Sequence, residues 1–239
     1  MCGTEMAEKQ IKDIRYFESN SANITGNSLP THIGEIFELP KAYPAVGQKF
    51  ALMLRERGFT LSDYDHLYID LSTYLAPGEC VMSDRITEKW LRYADYGLDP
   101  EVVNNLSDDD KLKLLNEITK EVLLNFCAKN DEDREMIETI SDIIGHGGDA
   151  IDIVYQEKND KAVNVKVILN ILHDGQCRLF VVIEDLEGQQ LLREQIALAE
   201  DLSEAMQYAG TILIRKNRVV IKPRNNVFTK DLHPTELTF

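Results

Sequence analysis

The chain has 239 residues, 44% apolar and 28% charged, and a formal charge of −15. This is an ordinary globular composition, which excludes fibrous and disordered classes, and a chain of this length buries roughly 70% of its unfolded surface without help from metal or disulfide. A negative field repels nucleic acid backbone and anionic membrane, so neither is expected as a partner; it attracts basic proteins, or serves solubility alone.

Cys2, Cys80, Cys127 and Cys177 are scattered without CxxC or CxxH spacing. Residues 1–13 are polar, unlike a secretory leader, and no stretch approaches the roughly 20 apolar residues of a membrane span. These features predict free thiols in a reducing cytoplasm. The charge is uneven: residues 95–142 hold 14 acids and 5 bases, whereas residues 211–239 hold 6 bases and 2 acids.

Residues 11–18 alternate weakly and predict a strand. Residues 19–44, rich in Asn, Ser, Gly and Pro, predict a loop with a short strand at 33–39. A helix fits 45–57, with Val46, Phe50, Met53 and Leu54 on one face and Gly58 at its stop. Residues 67–71 alternate, with Leu67, Ile69 and Leu71 inward and Tyr68 and Asp70 outward. Ser83 predicts the cap of a helix over 83–96 bearing Ile86, Trp90 and Tyr93, and Asp99-Pro100 opens a short helical turn. Ser107 caps a helix over 107–129, whose first turn holds Asp108, Asp109 and Asp110, where the helix dipole favours negative charge. A further helix covers 131–144.

After Gly145-His146-Gly147-Gly148 the period changes to two. Strands are predicted at 151–156, 162–172, 176–186 and 191–198, with His173-Asp174-Gly175 as a hairpin turn. A short helix to Ala209 and strands at 211–214 and 218–221 follow. The expected fold is α+β: a helical N-terminal half with a short sheet (1–144), and an antiparallel meander sheet in the C-terminal half with one short helix (145–239).

Catalytic motifs are wanting. His146, Asp149 and Asp152 sit beside glycines and have metal-binding chemistry, but phosphate-binding fingerprints run strand–glycines–helix, and here a helix precedes and a strand follows. Asp152, Glu157 and Lys158 fail as a nuclease core, because adjacent strand residues point to opposite faces. There is no Gly-x-Ser-x-Gly elbow, and no cysteine has a neighbouring histidine. The basic stretch Arg215-Lys216-Asn217-Arg218, with Lys222 and Arg224, fits a solvated turn. Tyr68, Tyr74, Tyr93, Tyr96 and Trp90 have the make-up of an interface hot spot, or complete the core.

Residues 65–71 (Asp-His-Leu-Tyr-Ile-Asp-Leu) and 85–97 (Arg-Ile-Thr-Glu-Lys-Trp-Leu-Arg-Tyr-Ala-Asp-Tyr-Gly) resemble bacterial immunity proteins of the polymorphic-toxin type, over about residues 45–124. The resemblance implies a cytoplasmic α+β protein that binds a cognate toxin, often a nuclease, and blocks its active site; it maps no specific residues. The expectation is therefore a non-enzymatic protein without cofactor or metal, neutralising a basic toxin. The expected partner surface is the acidic helices over residues 95–142 with nearby tyrosines, and its named residues are Asp108, Asp109 and Asp110, with Asp95, Glu101, Tyr93 and Tyr96. The alternatives are a metal-dependent enzyme using His146, Asp149 and Asp152, and a structural or regulatory subunit acting as a homodimer.

Overall fold

The computed structural model describes residues 8–20 and 35–239. Cys2, His32 and most of the expected 19–44 loop lie outside them; within 35–39, where part of a strand was expected, there is none. The chain divides into two compact units, Met1–Gly147 and Gly148–Phe239. Among the described residues, no helix is long and apolar enough to cross a membrane.

In the first unit, strands come first, and the expectation of a helical half with a short sheet is corrected on that point. Its elements are β1 (Lys9–Gln10), β2 (Asp13–Ser19), α1 (Tyr43–Glu56), β3 (Thr60–Leu61), β4 (His66–Ser72), β5 (Cys80–Met82), β6 (Leu91–Gly97), α2 (Pro100–Asn104), α3 (Asp108–Phe126) and α4 (Asp131–Gly147). The main sheet has the order β2-β4-β6-β5. Its first three strands are parallel and β5 runs antiparallel at the edge.

Strand residues alternate between faces, and the register lines them up across strands. Tyr16, Ile69 and Ala94 share one face, and the helices cover it. There the Tyr16 hydroxyl meets Thr119 of α3 at 2.5 Å, and the Tyr96 hydroxyl donates to Glu121 of α3 at 2.8 Å. α1 packs closely on β2 through Gly47, where a Cβ would stand 2.6 Å from the Ile14 carbonyl oxygen. The opposite face carries Arg15, Tyr68 and Tyr93 in one row and Phe17, Asp70 and Asp95 in the next. Tyr68 and Asp70, expected outward, are buried at 7% and 0% exposure. A parallel strand is covered on both faces, so alternation of residue type did not mean alternation of burial.

The expected helix over 83–96 is overturned. Leu91, Tyr93 and Asp95 face one way and Arg92, Ala94 and Tyr96 the other, so the period is two. Residues 83–90 form an irregular excursion on which Ile86 and Trp90 are exposed. Ser83 caps nothing; its hydroxyl accepts from Arg85 Nε at 2.9 Å. Where local chemistry was unambiguous the expectation stands: Asp99 accepts from the Glu101 amide, and Ser107 caps α3 by accepting from the Asp110 amide at 3.2 Å.

The second unit contains the expected antiparallel meander, β7 (Ile153–Asn159), β8 (Val163–Ile171), β9 (Cys177–Asp185) and β10 (Gln190–Ala199), in the order β10-β9-β8-β7. Val165 pairs with Ile183, Val167 with Val181 and Leu169 with Leu179, and all six are fully buried. The β8–β9 turn needs the positive φ of 86° that Gly175 supplies. Helix α5 (Leu202–Tyr208), capped by Asp201, packs Leu202 and Ala205 inward against β9 and β10. β11 (Thr211–Arg215), β12 (Arg218–Lys222) and β13 (Thr235–Thr238) form a three-stranded antiparallel sheet, of which β13 was not expected.

Candidate functional site

The structure does not gather the seven expected partner-surface residues on one surface. Glu101 on α2 and Asp108, Asp109 and Asp110 in the first turn of α3 are exposed. Tyr93, Tyr96 and Asp95 are interior, with exposures of 2%, 8% and 1%. Their placement on a partner face followed from reading 83–96 as a helix; as a sheet strand, β6 puts them inside. The Asp triplet is also partly compensated at home. Asp110 accepts from the Ser107 hydroxyl and pairs with Lys113 at 2.9 Å, which together hold its carboxyl below the usual range.

The expected acidic segment, residues 95–142, also takes in α4, although none of its residues was singled out. Helix α4 carries six acids and one lysine or arginine, Arg134. Ile137, Ile140 and Ser141 form its buried side. Asp131, Glu135, Glu138 and Asp142, spaced by four, three and four, make an exposed stripe, with Glu132 beside it. None of these five carboxylates has an ion pair among the described residues. The like-charge spacing is visible in the sequence.

Other carboxylates lie deep in the first unit. Asp70 of β4 and Asp95 of β6 are register partners on the face away from the helices. One guanidinium serves both: Arg85 Nη2 donates to Asp70 Oδ2 at 3.1 Å and also to Asp95 Oδ1. Its Nε donates to Ser83, and its face lies 4.4 Å from the Tyr93 ring centroid. Arg85 and Asp70 are both at 0% exposure. Asp70 Oδ1 and Arg85 Nη1 are buried without a hydrogen-bond partner among the described residues. Burial pushes the Asp70 carboxyl up, to about 6; Arg85 opposes the rise and the charge of Asp95 adds to it. Burial raises Asp95 too, against the pull of Arg85.

His146, Asp149 and Asp152 each have another partner. His146 Nδ1 lies 2.8 Å from the Asp142 carbonyl, within α4. Asp149 accepts from the His173 amide and meets its ring at 2.6 Å. Asp152 accepts both Nη groups of Arg193, at 2.7 and 2.9 Å, and an Asn170 amide proton. Among the described residues, no three His, Cys, Asp or Glu side chains are grouped to hold a metal. Burial pushes the Cys80 and Cys127 thiols up to about 12, far from a reactive thiolate at neutral pH.

In the second unit, a shallow groove is lined by Gln156, Glu157 and Lys158 of β7 and by Gly210, Thr211 and Ile212. Gln156 and Lys158 donate there to the Ala209 and Ile212 carbonyls, so they brace the fold. The basic stretch is a hairpin turn as expected, with Arg218 paired to Glu236 at 2.9 Å.

The comparisons give this geometry no outside support: no family model, curated protein or solved structure matches the chain.

Proposed function

We propose that this chain is a non-enzymatic binding protein, an immunity protein that neutralises a basic cognate toxin by direct contact through the acidic side of α3 and α4. The observation that supports this reading is the α4 stripe. Carboxylates three and four residues apart repel one another and cost an isolated helix roughly 0.2–0.5 kcal/mol per pair. Asp131, Glu135, Glu138 and Asp142 repeat that spacing without a compensating ion pair among the described residues. A basic partner would supply the missing counter-charges. Such pairing speeds encounter and weakens with salt.

The test is affinity capture with the full chain as bait, in lysate of the source cells with a low-salt wash. The reading expects one basic protein, retained near stoichiometry and released by salt, whose toxic activity the purified chain abolishes at equimolar amount. Retention of acidic proteins only, or a captured protein whose activity survives saturating chain, would overturn it.

A further inference from the structure

We propose that the Asp70–Arg85–Asp95 cluster keeps one proton on its two carboxylates in the folded protein, making it a pH-sensitive brace within the first unit. Asp70 and Asp95 are directly paired on neighbouring parallel strands. Two like charges so placed, away from water, cannot both persist unless each is matched. One guanidinium is available, and it does not grip either carboxylate with its two-pronged fork. Only Nη2 reaches them, Nε is committed to Ser83, and Nη1 has no partner among the described residues. The fully ionised cluster therefore carries a surplus negative charge, beside the unpartnered Asp70 Oδ1.

The groups facing the pair do not remove that surplus. From β2, Ser19 offers Asp70 a hydroxyl. From the segment after β4, Tyr74 faces Asp95, and its own ionisation is raised by burial and by the two carboxylates. From β6 comes the Tyr93 ring, which stacks on Arg85. Ser83 and Arg85 come from the excursion between β5 and β6. All but Arg85 are neutral, so a proton is what closes the charge balance.

The sign follows directly. The folded cluster binds its proton more tightly than an unfolded aspartate, so its stabilising contribution is full in acid and is lost as pH rises through about 6. This runs opposite to an ordinary salt-bridged carboxylate, which stabilises above its unfolded pKa.

The experiment is denaturant unfolding of the full chain between about pH 4.5 and 7, followed by Trp90 fluorescence. Trp90 is the single tryptophan of the chain and belongs to the first unit. In the wild type the folding equilibrium constant should fall at least about tenfold across that range, and in Asp70→Asn the fall should be largely abolished. A flat or rising profile in the wild type, or an equal slope in Asp70→Asn, would overturn the proposal. Should Asp70→Asn not fold, carboxyl carbon NMR of the wild type decides. One apparent titration of the pair between about pH 5 and 7 sustains the proposal, and both carboxylates titrating below about 4 refutes it.

Discussion

The first unit treats two sets of carboxylates in opposite ways. Asp70 and Asp95 are buried and drawn to a single arginine, whereas Asp131, Glu135, Glu138 and Asp142 are exposed and have no ion pair among the described residues. A buried charge must be met inside the fold or be neutralised, because desolvation is expensive. An exposed charge costs little to leave unmet, so water tolerates a stripe that the interior would not. The interior set is therefore bound to stability and the exterior set is available for recognition. Asp152 with Arg193 lies between the two, a two-pronged pair whose side chains are about a third to two-fifths exposed.

The comparison breaks most visibly at Arg85. Replacing it with methionine strands two buried carboxylates, and the first unit should lose about 3–5 kcal/mol by denaturant unfolding read at Trp90. A loss below about 1 kcal/mol would mean that both carboxyl groups are protonated without Arg85, or that water reaches them. Next in size, Ser107→Ala removes the hydroxyl that caps α3 and should cost about 1 kcal/mol, measured as a shift in unfolding midpoint. Arg193→Ala should cost less than about 1 kcal/mol, because water screens a pair this exposed. The carboxyl of Asp152 is lowered chiefly by Arg193, so its contribution is present above its unfolded pKa and fades as pH falls. That is the reverse of Asp70, and Arg193→Ala should soften the acid limb alone.

The smallest effect on folding belongs to the α4 stripe. Glu135→Lys with Glu138→Lys relieves like-charge repulsion, and the chain should unfold at the same or slightly higher denaturant. A clear loss of stability would show that the stripe has a structural role, which the comparison denies.

The sequence disclosed structure wherever short-range chemistry decides it. Asp99 and Ser107 are caps, Gly175 makes a hairpin turn, and the meander of the second unit follows from alternation over long apolar runs. It misled where tertiary pairing decides. β6 carries Ala94 opposite Ile69 and Asp95 opposite Asp70 only because three strands run parallel, and no local signal reports that partnership. Burial of Asp70, Asp95, Tyr93 and Tyr96 follows from the same pairing, so three of the seven expected surface residues lay inside. Arg85 gave no hint of its role, because a charged residue between Asp84 and Ile86 reads as solvated until two strands bring their aspartates to it. The stripe on α4 was legible from its spacing alone.

The proposed function rests on α4, and one paired capture tests it most directly. Three baits are compared in the same lysate at low salt: the wild-type chain, Asp108→Lys with Asp109→Lys, and Glu135→Lys with Glu138→Lys. The account predicts a basic partner on the wild type, reduced recovery with the α3 substitutions, and near-complete loss with the α4 substitutions although that chain remains folded. Equal recovery of the partner on all three baits would contradict it.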